Sequence, residues 1–171
     1  MTRYPGRRTP ARARLTHLDR KGQARMVDVS GKAPTLREAV AGGSIRMSRE
    51  AWRAIRSGRA GKGDALALAR VAGIAAAKKT SDLIPLCHAI PLEHVGVDIR
   101  LGKAGTRIEV EATARARWST GVEMEALVAA VTALLTLYDM AKAIDRGMTV
   151  ESVRLLKKSG GRSGTYVRTS R

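Results

Sequence analysis

The sequence predicts an α+β sandwich in a βαββαβ-like order, with helices packed on one face of a mainly antiparallel sheet. Three observations carry that expectation. Val95, Val97, Ile99 and Leu101 alternate with polar or small residues, and after the turn Gly102-Lys103-Ala104-Gly105 the alternation resumes at Ile108, Val110, Ala112, Ala114 and Ala116. Two such runs joined by a glycine turn form a hairpin. Residues 120–143, TGVEMEALVAAVTALLTLYDMAKA, then read as one long helix that is apolar around its whole circumference. A surface helix shows a single apolar stripe, so this one is expected to be wrapped by other elements or by a second subunit. Short strand signals lie on either side of this block, at residues 45–47 and at Val150, Val153, Leu155 and Leu156.

Taken in order, residues 1–14 combine Pro, Gly and five arginines without periodicity and predict a disordered basic tail. Residues 15–164 form the expected single domain, and residues 165–171 a flexible basic C-terminal tail. The alternating stretch Met26-Val27-Asp28-Val29 could pair as an edge strand. Thr35 followed three residues later by Glu38 has the spacing of a capping box, which predicts a short helix ended by Gly42-Gly43. Residues 45–47 make the first strand of the core. Ser48 caps a helix over 49–57 that Gly58 stops. Asp64 caps another over 65–79, where Ala69, Ala72, Gly73 and Ala76 recur at helical spacing and call for a close neighbour. Residues 80–91 (TSDLIPLCHAIP) form a covered, proline-punctuated loop before the hairpin strands at 95–101 and 106–118.

A chain of 171 residues suits one domain with a substantial core. No uninterrupted apolar run reaches the roughly 20 residues of a membrane span. One cysteine, Cys87, excludes an intrachain disulfide and fits a cytoplasmic location. The formal charge of +17 is concentrated at the ends and raises two possibilities, nucleic acid or a polyanionic small molecule. Two Trp, three Tyr and no Phe leave little with which to stack bases, so nucleic acid ranks second.

Several residues could carry chemistry. Asp139 and Lys142 share a helix face at i and i+3, either as a local ion pair or, in an enclosed helix, as a pair poised for proton transfer. Glu123 and Glu125 sit where the helix dipole favours carboxylates, but two residues apart they cannot both face one site. Cys87-His88 lacks the ligand spacing of a zinc site, and His88 is the better candidate for hydrogen bonding or proton transfer. Lys62, between two glycines before a helix, and Lys157-Lys158-Ser159-Gly160-Gly161-Arg162 are candidate anion-binding loops.

The segments MVDVSGK, KGD with ARVAGIAAAKKTSDLIPLCH, TGVEMEAL, YDMAKA and RLLKKSGGRSG together resemble the cyclic pyranopterin monophosphate synthases, the MoaC-type family of molybdenum cofactor biosynthesis. The resemblance runs in order from residue 15 to residue 164. It implies a ferredoxin-like fold and a homohexamer, a trimer of dimers with active sites between subunits. It also implies a lyase that turns 3′,8-cyclo-7,8-dihydroguanosine 5′-triphosphate into cyclic pyranopterin monophosphate and diphosphate. No redox cofactor is implied, and magnesium could accompany the substrate phosphates. By the same resemblance Asp139, Lys142 and Lys62 are catalytic. Leu86, Cys87, His88, Met124 and Glu125 line the substrate pocket with Glu123 close by, and Asp28, Arg37 and Lys158 match further polar positions. Arg37 and Lys158 suit a triphosphate best. Ala89 stands where the family commonly has Pro, and Lys157 adds a charge beside Lys158. The rival from another class is a basic RNA-binding module using the Arg/Lys-rich termini.

Overall fold

The structure, a computed structural model of the chain, describes residues 21–58 and 63–169. Its elements run β1 (Thr35–Arg46), α1 (Arg49–Arg56), α2 (Ala65–Ala77), α3 (Thr80–Leu83), β2 (His94–Leu101), β3 (Arg107–Trp118), α4 (Glu123–Ala141), β4 (Thr149–Ser159) and β5 (Tyr166–Val167). The described strands form one antiparallel sheet in the order β2-β3-β1-β4-β5. Its first four strands follow the ferredoxin-like βαββαβ order, and α2 and α4 pack together on one face. The expected fold class is the observed one.

The first strand differs most from expectation. Residues 35–43, read as a capped helix, belong to the 12-residue central strand β1. Ala39, Ala41 and Ile45 are fully buried on its helix side, a period of two that the capping-box spacing at Thr35 conceals. Gly42-Gly43 is not a helix stop. A Cβ on Gly42 would stand 2.9 Å from Leu156 Cδ1, and one on Gly43 2.9 Å from both Leu134 Cδ1 and Val153 Cγ2. The glycines leave room for β4 side chains at both positions and for α4 over Gly43. Of residues 45–47, expected as a separate strand, Ile45 and Arg46 end this longer one and Met47 follows it.

Smaller departures have local causes. Residues 26–29 form no strand; Val27 instead offers its carbonyl to His88. The loop at 80–91 opens with the single helical turn α3. Tyr166 and Val167, expected in a flexible tail, pair with Lys158 and Lys157 as β5. Residues 1–14 and Lys62 lie outside the described residues.

The helix caps follow the sequence. Ser48 Oγ accepts from Ala51 N, and Asp64 accepts from the backbone N–H groups of Leu66 and Ala67. On α2 the buried stripe is Ala65, Ala69, Gly73 and Ala77, and a Cβ on Gly73 would meet the Ala129 carbonyl oxygen at 2.8 Å. Small side chains therefore bring α2 close against α4. The sheet presents Ala39, Ala41, Ala112, Ala114 and Ala116 to the same layer, so α4 sits close to the strands. Leu134 and Leu137 fill the remaining space and are fully buried.

By length and composition α4 would cross a membrane, yet most of it is buried against β1, β3, β4 and α2, as in a core helix. Burial is not complete. Leu135 is 55 % exposed, on the side of the helix that carries Asp139 and Lys142, and Ile144, just past the helix end, is 41 % exposed. The expectation of all-round burial does not hold within one chain, because a single sheet and one neighbouring helix cover only part of the circumference.

Candidate active site

Two clefts flank the N-terminal end of α4. The larger, of about 900 Å³, is enclosed by the start of β1, the β3–α4 connection and the end of β4 with the turn that follows. Arg37, Lys32, Lys158 and Arg162 line it, with Glu123 and Glu38. Arg37 is pinned from behind, since its Nε donates to the Trp118 carbonyl at 3.2 Å and its Nη2 to the Ser119 carbonyl at 3.3 Å. Lys158 Nζ lies 4.0 Å from Glu123 Oε1, and its side chain is only 18 % exposed. Alternation along β4 separates the two adjacent lysines. Lys157 points to the other face and pairs with Glu38 at 3.1 Å, beside Arg115 at 2.6 Å from the same carboxylate. Hydrogen bonds from Lys157 and then Arg115 hold the Glu38 carboxyl below its usual range. With Glu38 neutralised on that side, positive charge dominates the cleft.

The smaller cleft, of about 250 Å³, lies between the end of α2, the loop 88–91 and α4, and contains Lys78, Thr80, His88 and Glu125. Glu125 is 3 % exposed, and among the described residues its Oε2 has no hydrogen-bond partner. Burial, with a smaller contribution from the Glu123 charge, pushes its carboxyl up to about 7. His88 Nε2 lies 2.9 Å from the Val27 carbonyl oxygen. A carbonyl only accepts, so Nε2 carries the hydrogen and Nδ1 keeps its lone pair in the neutral ring. Cys87, half-buried next to His88, has its thiol pushed up by burial and then by the Glu125 charge. Leu86 and Met124 are likewise half-buried.

Glu123 and Glu125 thus face different clefts, as their spacing requires. Asp139 and Lys142 are elsewhere. They form an ion pair of 2.6 Å at the C-terminal end of α4, with side chains 51 % and 54 % exposed. Their pair is not enclosed within the chain, contrary to the expectation of a buried one. Asp139 lies sixteen helical steps beyond Glu123, roughly 24 Å along the axis. Asp28 joins neither cleft. It is exposed, and its Oδ1 accepts from the backbone and hydroxyl of Ser30 at 2.9 and 2.7 Å, which holds its carboxyl low.

Lys32, Ser119 and Ser163 line the larger cleft and were not singled out from the sequence. A signal for the first existed in Gly31-Lys32, since glycine beside lysine suits an anion site. Ser119 holds Lys32 in place by donating to its carbonyl at 2.8 Å. Among the described residues no three His, Cys, Asp or Glu side chains converge as metal ligands.

Comparison with known proteins places this architecture. A model described as the MoaC family matches residues 26–161. A protein of Thermomicrobium roseum is 56% identical over 156 residues, covering 91% of this chain and 94% of its own length. One from a Roseiflexus species is 58% identical over 153 residues, with 90% and 97% covered. A third, from Novosphingobium aromaticivorans, is 59% identical over 152 residues, with 89% and 96% covered. All three bear the name cyclic pyranopterin monophosphate synthase. With its family model spanning most of its length and its relatives covered nearly end to end, the chain belongs to the MoaC family.

Proposed function

We propose that this protein is a cyclic pyranopterin monophosphate synthase, a lyase of molybdenum cofactor biosynthesis. It would convert 3′,8-cyclo-7,8-dihydroguanosine 5′-triphosphate into cyclic pyranopterin monophosphate and diphosphate. The observation that carries the reading is the conjunction of a cationic cleft with proton-transfer groups beside it, in a chain whose relatives bear that enzyme's name.

Each part of the reaction has residues suited to it. Closing a cyclic phosphate expels diphosphate, and the fixed cations Arg37 and Lys158 would hold the charge that develops there. Opening one ring and closing another needs repeated proton transfers. Glu125, titrating near neutrality, His88 with its Nδ1 lone pair, and the Asp139–Lys142 pair are groups able to give and take protons. Lys62 joins the reading from the resemblance alone. No resident metal is assigned a step, and magnesium would be carried by the substrate phosphates.

The reading also requires a second copy of the chain. Within one copy the Arg37–Lys158 cleft and the Asp139–Lys142 pair lie at opposite ends of α4, too far apart to act on one small molecule. Exposed Leu135 and Ile144 around that pair, with Leu68 and Val71 on α2, supply apolar surface for a neighbour to cover. Such packing would bring one copy's cationic cleft to another's ion pair, the homohexamer with inter-subunit sites that the resemblance implies. A cytoplasmic enzyme is the matching location. The RNA-binding alternative rests on charge alone and gives no reason for a buried Glu125 whose Oε2 has no hydrogen-bond partner among the described residues.

The deciding experiment is turnover by the purified chain. Conversion of the cyclic dihydroguanosine triphosphate with matching release of diphosphate is expected. A well-folded, oligomeric protein that releases no diphosphate would defeat the reading.

A further inference from the structure

The cationic cleft ends in a feature that binding of phosphate by Arg37 and Lys158 does not by itself require. After β4 the chain turns through Gly160 and Gly161, both at positive φ (92° and 72°), and returns as β5. The turn is tied by Gly164 N donating to the Gly161 carbonyl at 3.2 Å, and the hairpin by Arg168 N donating to the Leu156 carbonyl at 2.8 Å. Neither glycine has room for a side chain. A Cβ on Gly160 would fall on the Leu36 carbonyl oxygen, and one on Gly161 on the guanidinium of Arg37. The turn is therefore the wall against which Arg37 lies, opposite the carbonyls that pin its Nε and Nη2. On the same turn Ser163 Oγ accepts a hydrogen bond from Lys158 Nζ. Lys158 itself pairs across the strands with Tyr166.

We propose that this C-terminal hairpin positions the phosphate-binding cations. Ser163 is a positioning residue that holds the Lys158 ammonium in the cleft, and β5 keeps the Gly160–Gly164 turn closed against Arg37. The ligand so held is the diphosphate end of the substrate, a part of the proposal that rests on the reading above. A lysine has four rotatable side-chain bonds and ordinarily lies along the surface. Fixing one beside Arg37 prepays part of the ordering that binding a phosphate chain would otherwise cost.

The test uses the full-length protein and inorganic diphosphate as the probe, so it can be read whether or not turnover occurs. Ser163→Ala is expected to weaken diphosphate binding by about three- to tenfold, the net scale of one lost intramolecular hydrogen bond. Substrate KM should rise in parallel while kcat stays within about twofold, and Ser163→Thr should restore both constants. The thermal midpoint of Ser163→Ala should not change. A chain ended after Thr165, lacking β5, should lose diphosphate affinity at least as strongly. Unchanged diphosphate affinity in Ser163→Ala overturns the proposal. So does a loss that accompanies a lowered midpoint and is not restored by threonine, which would make the serine structural. Wild-type protein that binds diphosphate without turning over would defeat the enzyme reading and leave the hairpin test standing.

Discussion

The two ends of α4 carry charges of the same kinds in opposite circumstances. At the N-terminal end Glu125 is buried, one of its oxygens has no hydrogen-bond partner among the described residues, and its carboxyl is pushed up to about 7. At the C-terminal end Asp139 is half exposed and lies 2.6 Å from Lys142. The first is a costly arrangement that only function or a ligand justifies. The second is inexpensive, since exposed ion pairs contribute little to stability. A carboxyl group thus holds its proton up to about neutral pH where the fold buries it, whereas a pair at the surface needs a cover supplied from outside. In this chain one site is made by folding, and the other would be completed by assembly.

Four expectations break or sharpen that contrast. The largest effect belongs to the exposed end. Asp139→Ala should lower kcat by about 100- to 10,000-fold, the contribution of a positioned acid or base, while the midpoint of thermal unfolding stays within a few degrees of wild type. A variant with wild-type turnover would reduce the pair to surface decoration. Toward the C-terminal end of the helix but on its buried side, Leu137→Ala removes a fully buried side chain and should cost about 2–5 kcal/mol in denaturant unfolding. A cost below about 1 kcal/mol would contradict the packing that holds the two ends apart.

The third expectation concerns pH. Glu125 titrates at about 7 in the fold against an ordinary value of 4.5, so between those limits the native state binds more protons than the unfolded chain. The fold's advantage from the protonated carboxyl is fully present below pH 4.5 and is lost as pH rises through about 7. Glu125→Gln should flatten that part of the stability–pH curve, read from denaturant midpoints between pH 4.5 and 8. An unaltered slope would mean that the carboxylate is not enclosed as described. The smallest effect is at Lys157, whose ion pair with Glu38 is exposed. Lys157→Ala should change stability by less than about 1 kcal/mol and leave kcat unchanged. A large loss of turnover would show that Lys157, and not only its neighbour Lys158, serves the cleft.

Much of the fold was legible because periodicity and punctuation were unambiguous. The β2–β3 hairpin, the caps at Ser48 and Asp64, and the close approach of a neighbour to α2 at Ala69 and Gly73 all follow from local pattern, though not that the neighbour is α4. The beginning of β1 did not, because Thr35 and Glu38 satisfy a helix-capping rule by spacing alone. What outweighs that rule is pairing on both sides, β3 along one edge and β4 along the other. Likewise the β1–β4 ladder shifts register between Val40 and Ala41 and between Gly42 and Ser44, which sets Leu156 against Gly42 and Val153 against Gly43 and leaves no mark in composition.

The candidate site divides along the same line. Which residue types are present, and that Glu123 and Glu125 must diverge, follow from the chain read as text, as does the cationic character of its C-terminal block. The sequence by itself determined an antiparallel α+β core, its Ala-lined helix contact and an inventory of acid, base and cationic groups, because these depend on neighbours a few residues apart. Only the tertiary structure decided that Glu125 is enclosed and Asp139 is not, that Lys158 faces a cleft and Lys157 does not, and that the Gly160–Gly161 turn walls in Arg37. Those outcomes depend on which distant segments meet, and burial sets the cost of charge only once they have met.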